Sequence, residues 1–333
     1  MIITRTPFRI SFFGGGTDYP AWFREHGGAV LSTTIDKYCY ITCRQLPPFF
    51  EHKHRIVYSL IENVKHVDDI QHPAVRAVLN WVKVENGLEI HHDGDLPAQS
   101  GLGSSSAFTV GLLHAIYALN GQMVSKNILA SNAIHIEQNI IGEYVGSQDQ
   151  VSASIGGLNR IEFHRDNSFS ASPVILPIHR REELRDHLML YFTGLSRVAS
   201  QIAKSQIDNI KKCEKQLKLM QTMVHEACSI LMNANESIDS FGKLLDANWQ
   251  YKRSLSNSIS NPIIDDIYQA AMDAGAIGGK ILGAGSGGFF LIFAKPERHA
   301  AIRDRLHKFI HVPFHFENSG SQVVLYQPNG FYI

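Results

Sequence analysis

Along the first ninety residues the apolar positions fall into short runs broken by turn residues, and further on they recur at helical spacing. Ile2 to Phe13 reads as a strand, after which Gly14, Gly15 and Gly16 force a tight, backbone-exposed turn before Thr17 and Asp18. Strand-like stretches follow at Ala29 to Thr34, Tyr38 to Arg44, Ile56 to Ser59 and Leu88 to His92, with a helix around His72 to Val84. In Ser104 to Asn120, Phe108, Leu112, Ile116 and Leu119 repeat with helical period and Gly121 supplies a stop; Ser125 then caps a second helix through Ile140. The polar stretch Asp166 to Ser172, followed by Pro173 and Pro177, interrupts the pattern and marks a domain boundary, dividing the chain into 1–178 and 179–333.

Beyond it, Leu188 to Phe192 reads as a buried strand, and Val198 to Met232 as one long helix or two joined ones. Pro262 opens a helix ending near Gly275. Gly278 to Gly288 is glycine-rich, and Phe289 to Ala294 is a strand leading into a helix from Pro296. Helices covering a short antiparallel sheet account for this half, and no internal repeat or low-complexity tract is present.

A chain of 333 residues is long enough for two packed domains with a cleft between them. Its 31 Lys+Arg balance 31 Asp+Glu, so no strong field draws in nucleic acid or an anionic membrane. Four cysteines without a CxxC pair give neither a disulfide framework nor structural zinc, which suits a reducing, cytoplasmic setting. Arg5 and Arg9 interrupt the N-terminal apolar stretch expected of a signal peptide, and no apolar run approaches 18 residues.

The segment Asp95 to Phe108 carries the strongest chemical signal. Gly101, Leu102, Gly103, Ser104, Ser105 and Ser106 lead directly into an apolar helix. Glycines let backbone N–H groups converge on phosphate, and the helix N-terminus adds unpaired donors and roughly half a positive charge. Serine hydroxyls can hold phosphate oxygens or magnesium. Taken alone, the segment is equally a Gly/Ser turn with a serine cap. It is not the Walker pattern, since no Lys follows a second glycine.

It resembles the phosphate loop of the GHMP kinase superfamily, and Thr6 to Tyr19 and Gly279 to Phe290 supply candidates for that family's other two motifs, in the right order. Where galactokinases carry Glu and His before the Thr-Asp pair, Gly15 and Gly16 stand here. The GGGTD form, IDKY at Ile35 to Tyr38, DIQHP at Asp69 to Pro73 and VGSQDQ at Val145 to Gln150 are similar to D-glycero-D-manno-heptose 7-phosphate kinases. So are YFTGLSR at Tyr191 to Arg197, SNPIID at Ser260 to Asp265 and GGKILGAGSGGF at Gly278 to Phe289.

The resemblance implies an α+β, two-domain GHMP kinase fold: an N-terminal mixed α/β domain with a left-handed βαβ phosphate-binding unit, and a C-terminal ferredoxin-like domain. It implies an ATP-dependent sugar kinase that phosphorylates the C1 hydroxyl of a heptose 7-phosphate. Asp149 would orient or deprotonate that hydroxyl, with Arg9 beside it keeping Asp149 ionised or stabilising the transferring phosphoryl group. Ser104 and Glu137 would hold Mg²⁺. Gly15, Gly16, Thr17 and Asp18 would meet the sugar, Gly283 and Gly285 would close the site, and Arg197 and Lys280 would sit near the distal phosphate. The bland alternatives are a solvated helix residue for Glu137, a helix cap for Asp149 and a turn residue for Asp18.

The remaining features read as structural. The His52/His54 and His91/His92 pairs lack a third ligand at metal spacing, and Cys39 and Cys43, at even spacing in a strand, read as small core residues. The expected partners are thus a sugar phosphate and ATP, with no nucleic acid or membrane and with room for a homodimer. The rival readings are another sugar kinase of the superfamily, fucokinase-like or galactokinase-like, and an inactive sugar or nucleotide sensor.

Overall fold

The computed structural model describes residues 1–98, 100–195 and 199–328. Its strands are β1 Ile2–Phe13, β2 Gly28–Gln45, β3 His54–Val57, β4 Ile61–Val64, β5 Leu88–Gly94, β6 Asn159–Phe163, β7 Phe169–Pro173, β8 Leu188–Phe192, β9 Gly278–Ile281, β10 Phe289–Phe293, β11 Ile310–His311, β12 Phe316–Glu317 and β13 Gln322–Tyr326. They form two sheets. Nine strands run in the order β13-β1-β2-β5-β3-β4, with β12 and β6 also pairing β2 and β7 extending β6; the other sheet is β11-β8-β10-β9, antiparallel throughout.

Most of β1 is buried. The helix Ser104–Leu119 packs on β1 and β2, and so do the second half's helices Glu214–Met232, against both strands, and Asp239–Ser254, against β1. A strand covered on both sides needs apolar or small residues at nearly every position, which is why Ile2–Phe13 lacks a clean alternation. Phe12 and Phe13 meet Phe241 edge-on, with ring centroids 5.5 and 5.1 Å apart, so the two halves share one apolar joint.

The two stretches expected at Ala29 to Thr34 and Tyr38 to Arg44 are one strand. Asp36 and Lys37 bulge out of the ladder where Pro7 and Phe8 lie opposite, and Pro7 has no N–H to pair there. The expected boundary segment Asp166 to Ser172 spans the β6–β7 hairpin turn and most of β7, and the second sheet begins only with β8. The end of the chain departs from the expected second domain: β12 pairs β2 and β13 pairs β1, so these strands complete the first sheet. The stretch expected to be one long helix or two joined ones is, from Ala199 on, two helices, Ala199–Asn209 and Glu214–Met232, joined by a 3₁₀ turn at Ile210–Cys213, and Val198 lies outside the described residues. Cys39 and Cys43 are buried core residues, and burial pushes the Cys43 thiol up to about 12.

Candidate active site

A cleft of about 290 Å³ opens between the end of β1, the turn after it, the loop before helix Ser104–Leu119, residues 143–149, and Lys252, Lys280, Gly283 and Ala284 from the second half. Gly101 and Gly103 bend the loop with φ of +85° and +75°, a region costly for other residues. Gly103 is the N-cap, so the helix does not begin with the serine N-cap that the bland reading requires. Ser104, Ser105 and Ser106 line the cleft beside N–H groups suited to an anion.

Arg9 and Asp149 face this loop. The Arg9 Nε donates to Asp149 Oδ1 at 2.8 Å, one terminal nitrogen donates to Oδ2 at 2.9 Å, and the other donates to the Gly101 carbonyl at 2.7 Å. The guanidinium thus grips the carboxylate in a bidentate fork and ties it to the loop at Gly101. A Cβ on Gly103 would stand 3.3 Å from the Asp149 carboxylate, so glycine is what lets loop and carboxylate approach.

The first turn of helix Gln148–Ile155 sends three successive side chains to three partners, because each step around a helix is about 100°. Gln148 Nε2 donates to Asp18 Oδ2 at 2.9 Å, Asp149 takes Arg9, and Gln150 Nε2 donates to Glu137 Oε2. Sequence reasoning reached only the middle one of the three, since a glutamine beside a functional carboxylate carries no signal until the fold shows where it points.

Glu137 sits in a π-helical turn, Ile136–Ile141, that ends the helix Lys126–His135; the sequence predicted plain helix there. Such turns break the regular hydrogen-bond ladder and are frequent at functional sites. Glu137 is fully buried, its Oε2 accepts from Ser106 Oγ at 2.8 Å, and its Oε1 has no partner among the described residues. Burial pushes its carboxyl up to about 7. An orphaned, buried carboxylate oxygen beside serine hydroxyls fits a hard divalent cation. The Ser106 hydroxyl reaches Glu137, and Ser104 lines the cleft nearby.

Asp18 is 1% exposed and lines the same cleft. Its Oδ1 accepts from the Gly16 N–H at 2.9 Å, and burial, then the Asp149 charge, raises its carboxyl above the usual range. The backbone of Gly146 passes so close that a Cβ there would be 1.9 Å from Asp18 Oδ2. Thr17 is buried and turned inward, its hydroxyl donating to the Gly14 and Ala29 carbonyls at 2.8 and 2.9 Å, so it holds the turn.

Two expectations change here. Lys280 lines the cleft, but its ammonium donates to the Ser11 and Phe12 carbonyls at 3.0 and 2.7 Å, stitching β9 to β1. Burial, then the Arg9 charge, lowers it to about 7, which suits it poorly to grip a phosphate dianion. Gly285 packs on Ile259, while Gly283 reaches the cleft. Arg197 lies outside the described residues, as does Gln99. The third motif's contact with the phosphate loop is made instead by Gly288, where a Cβ would be 2.0 Å from the Ser100 carbonyl, and Phe289 N–H donates to that carbonyl at 3.0 Å. Lys252, which no sequence signal marked, donates to the Ile281 and Gly283 carbonyls at 3.1 and 2.6 Å.

Fold and site together define a two-domain protein whose cleft joins the N-terminus of helix Ser104–Leu119 to a part-buried Arg–Asp fork. The sequence matches the GHMP kinases N terminal domain over residues 65–157 and the GHMP kinases C terminal domain over residues 223–311. The chain belongs to the GHMP kinase family and is a phosphotransferase. Among curated relatives, it is 29% identical to the D-glycero-alpha-D-manno-heptose 7-phosphate kinase of Campylobacter jejuni, over 92% of this chain and 93% of that one. It is 26% identical to the galactokinase of Pyrococcus furiosus, over 92% of each chain. In fold it is similar to a D-glycero-D-manno-heptose 1-phosphate kinase from Bacteroides thetaiotaomicron, with a TM-score of 0.80, 22% identity and coverage of 97% and 98% of the two chains.

Proposed function

We propose that this chain is an ATP-dependent sugar kinase that transfers the γ-phosphoryl group to the C1 hydroxyl of D-glycero-D-manno-heptose 7-phosphate, giving the 1,7-bisphosphate. The observation that carries the kinase chemistry is the Arg9–Asp149 fork, held against the phosphate loop at 2.7–2.9 Å. The heptose reading is supported by the relative from Campylobacter jejuni, which matches nearly end to end.

Kinases of this family use ATP with a divalent metal. On this reading the N–H groups and hydroxyls of Ser104, Ser105 and Ser106 receive the phosphates, and Gly101 and Gly103 let the backbone approach them. Glu137, with the Ser104 and Ser106 hydroxyls, would hold Mg²⁺, which when bound would supply charge neutralisation for the phosphates. Asp149 aligns the acceptor hydroxyl for in-line attack and takes its proton as the new P–O bond forms and the γ-phosphorus separates from the bridging oxygen, which leaves with ADP. Both its oxygens accept from Arg9, a geometry that suits alignment more than early deprotonation. Arg9, between Asp149 and the loop, stabilises charge on the group in transfer.

The position of transfer is tested by phosphorus NMR of the product made from heptose 7-phosphate, ATP and Mg²⁺. An anomeric phosphate signal coupled to H1 is expected. A product phosphorylated at any other hydroxyl contradicts the C1 assignment.

A further inference from the structure

The turn Gly14–Gly15–Gly16 contains three glycines, yet only two are demanded by the backbone. Gly14 and Gly16 have φ of +80° and +102°, and a Cβ on Gly14 would be 1.9 Å from the Ala29 carbonyl. Gly15 has no such constraint: its φ is not positive, and a Cβ would meet nothing closer than Gln148 Nε2 at 3.8 Å and Ser11 Oγ at 3.9 Å, ordinary contact distances. Alanine fits here, so the fold itself gives no reason for glycine.

The side chains flanking this space are a buried polar pair without a full set of partners. Ser11 is 5% exposed and its hydroxyl makes no hydrogen bond among the described residues; Gln148 is 8% exposed and its amide oxygen makes none. Both line the cleft, as does Gly15. Leaving buried polar atoms unpaired is costly, so a cleft wall that keeps two of them is arranged for something that supplies the missing bonds. Asp18 completes the arrangement. Its Oδ2 accepts from Gln148 Nε2 at 2.9 Å, which fixes the plane of the amide and leaves its oxygen for another donor.

We infer that Ser11 and Gln148, on either side of the bare Gly15 backbone, form a hydroxyl-recognition subsite for the acceptor, with Asp18 as the positioning residue for Gln148. The ligand is a neutral polyol edge: an O–H donates to the Gln148 amide oxygen, and the same or a neighbouring hydroxyl exchanges a hydrogen bond with Ser11. The subsite rests on the sugar-kinase reading and adds the residues that select among sugars.

The test is steady-state kinetics of wild type, Gly15→Ala and Ser11→Ala with the acceptor the wild type prefers and with analogues lacking one hydroxyl at a time. Losing one neutral hydrogen bond should raise the acceptor KM by roughly fivefold in Ser11→Ala. The methyl of Gly15→Ala should raise it at least as much by occupying the space. The ATP KM should stay at its wild-type value in both, which also reports that they are folded. The analogue lacking the recognised hydroxyl should lose affinity for wild type and suffer no further loss in Ser11→Ala. An unchanged acceptor KM in both variants overturns the subsite while leaving the sugar-kinase reading intact. A wild type that binds and phosphorylates no polyol overturns both.

Discussion

At the scale of single residues, the cleft groups act on one another: the Asp149 charge helps raise the Asp18 carboxyl, and the Arg9 charge helps lower Lys280. Asp149 receives two bonds from Arg9, which also holds the phosphate loop, and this makes Asp149 the residue whose loss should be felt in chemistry rather than binding. Asp149→Asn should lower kcat by at least ~10²-fold with the ATP dissociation constant nearly unchanged. Single-turnover and nucleotide-binding measurements check this, and near-normal turnover removes Asp149 from the mechanism. Lys280 gives a pH prediction. Burial lowers its folded value to about 7 from 10.5, so between those values the unfolded chain holds a proton that the folded protein does not. The stability it withholds at pH 7 is therefore recovered as pH rises toward 10.5. Relative to Lys280→Met, the wild type should gain about 1.4 kcal/mol per pH unit between roughly pH 7.5 and 9 in urea unfolding. Parallel curves for the two proteins contradict the assignment.

At the scale of elements, the Gly/Ser turn is legible because its glycines and serines immediately precede an apolar helical run, and the structure places Gly103 at the N-cap of that helix. Gly103→Ala combines a left-handed backbone penalty of ~1–2 kcal/mol with a Cβ 3.3 Å from Asp149. It should lower kcat/KM for ATP by at least ~10-fold, measured by initial rates across ATP concentration, and wild-type kinetics would show that the close approach is dispensable. Other elements were hidden from the sequence for physical reasons. The π-helical turn that carries Glu137 looks like ordinary helix, because a one-residue widening leaves the apolar spacing almost unchanged. The bulge at Asp36 and Lys37 reads as a break, because polar residues interrupt the run while the ladder continues on both sides. Gln148 and Gln150 became meaningful only when the helix starting at Gln148 showed that they flank Asp149 at different angles.

At the scale of the whole molecule, the first and last strands are neighbours. Strand β13 pairs β1, so the strand carrying Arg9 is fixed by residues more than 300 positions away. Periodicity along a chain cannot reveal which edge a terminal strand joins, which is why the sequence assigned these residues to the second domain. The two halves also share the Phe12, Phe13 and Phe241 cluster beneath the cleft, with Lys280 and Gly288 as the polar and backbone ties above it. Phe241→Ala should lower stability by ~3–5 kcal/mol in urea unfolding. A loss under about 1 kcal/mol would mean that the halves are held together elsewhere.

The most direct test of phosphate transfer to a heptose phosphate is coupled ADP release with ATP and Mg²⁺ across heptose 7-phosphates, mannose 6-phosphate, fucose, galactose and mevalonate, run in parallel with Asp149→Asn. Turnover on a heptose 7-phosphate that Asp149→Asn abolishes is the expected result. Turnover confined to fucose, galactose or mevalonate contradicts the substrate, and silence across the panel from protein that still binds ATP contradicts the activity.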